Sequence, residues 1–198
     1  MLKNKEDVIK LIRSDEKMME IITIASTLNL PDWWICAGFV RSKIWDTLHG
    51  FNERTETQDV DVIYFDNNNL DENYEKDLEK KLVSMMPTIP WSVKNQARMH
   101  IINDLPPYTS SEDAISRFPE TVTALGVKLD KENNLVLTAP WGLEDVINLE
   151  VKPTPYFTET KELAAIYEQR MIKKNWQSIW HKIKIHNSID YKIKSFYF

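Results

Sequence analysis

The stretch Gln58-Asp-Val-Asp-Val-Ile-Tyr-Phe65 decides the fold of this chain. A strand alternates its sides, so Asp59 and Asp61 share one face while Val60 and Val62 point to the other. Two carboxylates about 7 Å apart along one strand repel each other, and neither offsets its own desolvation. A cation between them relieves both problems, and hard carboxylate oxygens suit a magnesium-type ion. Asp-Val-Asp is also short and common, so an edge strand with a solvated acidic face is the plainer alternative.

Outward from that strand, helical and extended patterns alternate. Asn4 to Arg13 reads as a short helix capped by Asn4. Ser14 reads as the cap of a second helix, with Met18, Ile21, Ile22, Ala25 and Leu28 on its apolar face. Val40, Ile44 and Leu48 recur every four residues after Ala37-Gly38, and Gly50 sits where a left-handed C-terminal cap belongs. A helix is expected over 71–86, with Leu70, Tyr74, Leu78, Leu82 and Met85 as its buried stripe. Trp91 to His100 alternates again and predicts a strand whose polar face carries Ser92, Lys94, Gln96, Arg98 and His100.

Pro106-Pro107 breaks regular structure. Ser110 opens a short helix that stops near Pro119, and a second helical turn ends near Gly126. Val127–Leu129 and Leu135–Thr138 suggest a hairpin. A helical piece near Trp141–Val146, an extended piece to Val151 and a helix over 158–174 complete the pattern. The expected class is α+β, a small mixed sheet flanked by helices. One domain over 1–198 is expected, with N-terminal helices to residue 30, a core over 33–155 and a C-terminal helix and tail over 156–198.

Composition narrows the function classes. The chain has 198 residues, 42% apolar and 28% charged, which is ordinary for a soluble globular protein. The single Cys36 excludes an internal disulfide and a cysteine-rich zinc site and favours a reducing compartment. No apolar run approaches about 18 residues and the N-terminus lacks a signal-like apolar segment, so a cytoplasmic protein without a membrane partner is expected. The net charge of −5 argues against broad electrostatic binding to nucleic acid. The charge is uneven: Arg170, Lys173, Lys174, Lys182, Lys184, Lys192 and Lys194 face one acid, Asp190. That basic run suits either a phosphate-bearing partner or a solvated helix face. P-loop and nucleophile-elbow sequences are missing.

The order of the motifs carries the chemistry. Gly38 stands at a helix start, and the Asp-x-Asp strand follows about twenty residues later. Helix N-termini present unpaired N–H groups that bind phosphate, and a glycine there admits close approach. A phosphate cradle beside a two-carboxylate strand is an apparatus for moving a nucleotidyl group.

This arrangement resembles the nucleotidyltransferase superfamily of DNA polymerase β type, and more closely a bacterial family of nucleotidyltransferase-like proteins. The matching pieces are Ala37-Gly-Phe-Val-Arg-Ser-Lys-Ile-Trp-Asp-Thr-Leu-His-Gly50, Asp59-Val-Asp-Val-Ile-Tyr-Phe-Asp66 and Trp91-Ser-Val-Lys-Asn-Gln-Ala-Arg-Met-His100. Pro106-Pro-Tyr-Thr-Ser-Ser-Glu-Asp-Ala114, Phe118-Pro-Glu-Thr-Val-Thr-Ala-Leu-Gly-Val127 and Ala139-Pro-Trp-Gly-Leu-Glu-Asp145 extend the match over roughly residues 33 to 180. The resemblance implies a polymerase β-type core with extra C-terminal elements. Asp59 and Asp61 would hold Mg2+ or Mn2+ and act in catalysis. Gly38 and Arg41 would bind the nucleoside triphosphate; Lys94, Gln96 and Arg98, on one polar strand face, suit the completion of a triphosphate or acceptor pocket, with Lys94 and Arg98 as the further binding candidates. The acceptor would be a hydroxyl on a small molecule, a protein or an RNA end.

The chain departs from the pattern in two places. Phe39 follows Gly38 where the superfamily has a second glycine or serine. Ala37-Gly-Phe-Val-Arg41 is similar instead to the Gly-Gly-x-Val-Arg opening of tRNA nucleotidyltransferases, with its first glycine replaced by Ala37. The family's third carboxylate, which helps hold metal and deprotonate the acceptor, is absent from residues 91–100. Ser92 or Asn95 stands in its place, and Glu150 is a distant substitute. A non-catalytic nucleotide-binding module and an Asp-x-Asp glycosyltransferase therefore remain as alternative readings.

Single residues carry alternatives too. Arg41 suits a phosphate or, at the surface, a bridge to Asp46 or the polar loop over 51–57, and Asp66 suits the turn at Asn67-Asn68-Asn69. Asn95 reads as a structural or pocket-wall amide, and His49 and His100 as structural. Tyr108 and its following serines suit a flap or a capped helix start. Trp176, Trp180, Phe196, Tyr197 and Phe198 read as packing.

Overall fold

The computed structural model describes residues 2–103 and 105–188. Helices α1 (Lys5–Arg13) and α2 (Glu16–Ser26) open the chain. The Asn4 side chain accepts the Asp7 amide and starts α1 as expected. Asp15, not Ser14, caps α2 by accepting the Met18 amide, and Ser14 closes α1 instead. Both side chains are good caps, but a carboxylate also answers the positive end of the helix dipole.

Strand β1 (Trp34–Cys36) leads into α3 (Gly38–His49), which ends at Gly50 with φ 72°, the expected left-handed cap. Next come β2 (Val60–Tyr64), α4 (Glu72–Met85), β3 (Trp91–Asn95), α5 (Gln96–Asn103) and α6 (Ser111–Ser116). A hairpin of β4 (Gly126–Leu129) and β5 (Leu135–Thr138) precedes α7 (Glu144–Ile147) and β6 (Glu150–Val151). The described chain ends with α8 (Lys161–Lys174) and β7 (Lys184–Ile185). The main sheet has the order β3-β2-β1-β4-β5, parallel only between β2 and β3, and β6 and β7 form a separate parallel pair. This is the mixed α+β architecture that the sequence pattern predicts. Gly126 is required by packing, because a Cβ there would lie 3.0 Å from Cys36 Sγ and 3.3 Å from the Ile35 carbonyl oxygen.

One hydrophobic cluster runs from Val8 and Ile12 in α1, through Trp45 and Val62, to Trp176, Trp180 and Ile183 near the end. Met18, Ile21, Ile22 and Ala25 of α2, and Leu28 just after it, all join it. Among the described residues no helix is long and apolar enough to cross a membrane.

Two further expectations are corrected. Strand β3 stops at Asn95 and α5 begins at Gln96, so Lys94 and Arg98 do not share a strand face. The Asn95 carboxamide causes the break: its oxygen accepts the Asp66 and Ala97 amides, and its NH2 donates to the Asp66 and Asn69 carbonyls. The buried face of α4 is Glu75, Leu78 and Leu82, whereas Leu70, Tyr74 and Met85 are exposed. A buried acid replaces the expected aromatic because Arg98 reaches it from α5 (Nη2 to Oε2, 2.7 Å).

Smaller differences lie in the last third. Residues 121–123 form turns rather than a helix, α7 begins three residues late and α8 starts at Lys161 behind a Thr160 cap. Ser110 caps α6 and the Ser111 amide donates to Asp32 (2.6 Å), so the capped helix start is the role observed there. The tail residues Asp190, Lys192, Lys194, Phe196, Tyr197 and Phe198 lie outside the described residues.

Candidate active site

Between the start of α3, the start of β2 and the end of α8 lies a cleft of about 390 Å³. The chain turns into α3 through Ala37, whose amide donates to the Leu125 carbonyl and whose φ is 56°. That reversal aims the first turn of α3 at the cleft, which Gly38, Arg41 and Ser42 line. Gly38 has no positive φ; a Cβ there would meet only Arg41 Nη2, at 3.7 Å. Glycine is therefore not demanded by the backbone at this position. It leaves the helix end open to an approaching group.

Arg41 is buried, at 7% exposure. Its guanidinium lies 4.2 Å from the centroid of Trp176, 5.0 Å from Trp45 and 5.2 Å from Trp180. Nη2 donates to Ser42 Oγ at 3.2 Å, and buried Nε has no partner among the described residues. Burial pushes the Arg41 pKa down to about 10, although the carboxylates of Glu120, Asp59 and Asp46 oppose that shift. The expected alternative of a bridge to Asp46 does not form. Asp46 accepts from Thr55 N (2.9 Å), Thr55 Oγ1 (2.6 Å) and Trp180 Nε1 (2.8 Å). Arg41 is thus enclosed by three indole rings, with donors to spare.

Asp59 is exposed just before β2, and Asp61 lies within it, half-buried. Both line the cleft, while Val60 and Val62 enter the core. Asp61 has its pKa raised to about 6, by burial first and by the charge of Asp59 second. A hydrogen bond from Ser92 and the charges of Lys174 and Arg170 pull the other way. Ser92 sits beside Asp61 in the parallel β2–β3 register, so a hydroxyl occupies the strand position next to the acid pair. Glu150, the other substitute considered, lies in the small sheet and pairs with Lys152 (2.8 Å); it does not line the cleft. Among the described residues no group of three or more metal-ligating side chains occurs.

Lys94 and Arg98 lie elsewhere. Lys94 Nζ is 3.2 Å from Glu79 Oε1, and Arg98 donates to both oxygens of Glu75, so these cations tie β3 and α5 to α4. Neither lines the cleft. Arg170, Lys173 and Lys174 line it in their stead. Their positive run was visible in the sequence; that α8 returns to the acid pair was not.

The sequence profile of a family described as nucleotidyltransferase matches residues 23–185. An NMR structure described as revealing a CCA-adding enzyme head domain is 39% identical, with a TM-score of 0.85, covering 94% of this chain and 98% of that one. A Thermotoga maritima CCA-adding enzyme complexed with tRNA is similar at 13% identity and a TM-score of 0.56. A tRNA-processing enzyme in its apo form is similar at 18% identity and a TM-score of 0.52. This chain is covered to 98% in both cases, yet it spans only 45% and 48% of those longer enzymes. At such identities they show the fold alone. No curated protein matches the chain. The polymerase β-type fold, the profile and the 39% identical head domain agree, and the chain belongs to the nucleotidyltransferase family.

Proposed function

We propose that the chain transfers a nucleoside monophosphate group from a nucleoside triphosphate to a hydroxyl acceptor, with magnesium or manganese as cofactor. The observation that carries this reading is one cleft that joins the open N-terminus of α3 to the carboxylates of Asp59 and Asp61. The donor set fits a hard divalent ion: two carboxylates and the Ser92 hydroxyl, all oxygen, with Asp61 half-buried and set against a like charge. An ion held by Asp59 and Asp61 supplies charge neutralisation at the phosphates.

The chain's own groups bind and orient. Unpaired amides in the first turn of α3 receive phosphate oxygens beside Gly38. Arg41, fixed by three tryptophans, presents its free donors to the same phosphates at little entropic cost. The acceptor oxygen bonds to the α-phosphorus as the bond from that phosphorus to the bridging oxygen breaks. Pyrophosphate leaves with the electron pair, and the acceptor proton passes to solvent. Acceptors to be compared are small molecules, proteins and an RNA 3′ end, the last suggested by the CCA-adding head domain. The single thiol is in keeping with a cytoplasmic setting.

Asp59→Asn combined with Asp61→Asn tests the site. We expect turnover to fall by at least about 10²-fold and metal-dependent nucleotide binding to weaken, with folding intact. Retention of both by the double variant would refute the assignment.

Ser92 favours one second reading, a non-catalytic nucleotide-binding module, because a hydroxyl stands where the family's third acid is expected. Calorimetric binding of nucleotide with magnesium, but no pyrophosphate release with any acceptor, would establish it. Nothing in the cleft favours the glycosyltransferase alternative.

A further inference from the structure

The cleft has charges of both signs. Glu56, Asp59 and Asp61 supply carboxylates, and Arg41, Arg170, Lys173 and Lys174 supply cations. Arg170, Lys173 and Lys174 stand at i, i+3 and i+4 on α8, a spacing that stacks them on one helix face. Arg170 is engaged: it donates to Glu120, a fully buried acid that also accepts from Thr123 Oγ1 at 2.6 Å. Among the described residues, no carboxylate lies within ion-pair distance of Lys173 or Lys174.

The helix dipole favours lysines in a last turn whichever way they point. It does not explain why both line a cleft that already holds Arg41 and Arg170. Burial, then repulsion from Arg170, lowers the Lys174 pKa, with Arg41 adding to the repulsion and Asp59 opposing it. An arrangement that gathers like charges in an open cleft is complementary to a ligand with several negative charges.

We propose that Lys173 and Lys174 form a second phosphate clamp, gripping the terminal phosphates of the donor from α8. This rests on the nucleotidyl-transfer reading and adds a recognition rule to it. The clamp reads the polyphosphate tail, so it distinguishes triphosphates from monophosphates and is indifferent to the base. It also holds the pyrophosphate that leaves.

The test is calorimetric, on the full chain with magnesium. One titrant is a non-hydrolysable ATP analogue; the other is inorganic tripolyphosphate. Lys173→Ala combined with Lys174→Ala should weaken both titrants about tenfold or more, in parallel and with an unchanged melting temperature. The Lys173→Arg, Lys174→Arg pair should restore most of the loss. Equal binding by wild type and the alanine pair overturns the clamp and leaves the nucleotide reading standing. So does a loss confined to the nucleotide, or a wild type that binds the nucleotide and not tripolyphosphate. A wild type that binds neither titrant brings down the nucleotide reading and the clamp together.

Discussion

Ala37 holds φ 56° and ψ −120°, a conformation crowded for an L side chain and open to glycine. Such residues cost about 1–3 kcal/mol and persist where surrounding structure imposes them. Here the Leu125 carbonyl, bonded to the Ala37 amide, and the first turn of α3 impose it. The departure from glycine noticed in the sequence is thus a position of strain. Ala37→Gly should relieve that strain but lose about 0.4–1 kcal/mol through a freer unfolded chain. The expected net gain is about 1 kcal/mol, which raises the melting temperature by about 2–4 °C. A scanning calorimetry trace with an unchanged or lower midpoint would show that the turn is not strained. Gly38 calls for the opposite expectation. Gly38→Ala should leave stability unchanged or better, since its Cβ meets only Arg41 Nη2, but it narrows the helix end and should weaken nucleotide binding. The place of Gly38 at the start of α3 was legible from the periodic pattern that follows it; the backbone state of Ala37 was not, because nothing local in the sequence sets it.

At the scale of elements, the departures from expectation have one physical source, partners that arrive from far along the chain. Residues 91–100 alternate convincingly, yet Asn95 ends the strand by binding backbone at Asp66, Asn69 and Ala97. Periodicity could not place Glu75 inside either, since Arg98, the Asn95 amide and, at 3.9 Å, Lys94 make its burial tolerable. This junction gives a prediction. Glu75→Ala leaves Arg98 without its main carboxylate and the Asn95 amide without an acceptor. Breaking a buried pair from one side costs about 3–5 kcal/mol, which urea titration would measure directly. The start of α2 yields a pH prediction. Burial alone would raise the Asp15 pKa, but the bond to Lys43, the Met18 amide and the charges of Lys43 and Arg54 lower it on balance. A carboxyl depressed in the folded state contributes stability above its unfolded pKa of about 3.9 and loses it as pH falls through the folded value. Asp15→Asn keeps the cap and loses the 2.7 Å ion pair, so it should be less stable than wild type at pH 6. That difference should close as pH falls through the lowered folded pKa of Asp15, and a gap independent of pH would contradict the assignment.

For the whole molecule, the informative segment is the one after α8. Trp176 and Trp180 cover the Arg41 guanidinium and meet Trp45 of α3 edge to face, and Trp180 Nε1 donates to buried Asp46. Lys182 N donates to His49 Nε2, and β7 pairs with β6. The same segment therefore closes the core and positions a guanidinium of the cleft. The sequence marks these tryptophans as packing residues, which they are. It does not show that they pack around Arg41, because that contact joins positions 135 residues apart. We accordingly expect the described residues through β7 to unfold as one unit rather than as a core with a detachable end. Trp180→Phe separates the possibilities, since it preserves an aromatic ring while deleting the bond to Asp46. A hydrogen bond to a charged group is worth about 1.5–3 kcal/mol, so the midpoint should fall by about 3–12 °C. Far-UV circular dichroism and the emission of the remaining tryptophans should fall along one shared curve. Two separated transitions, with the emission change preceding the loss of helix, would mean that the C-terminal segment is an independent lid on an already stable core.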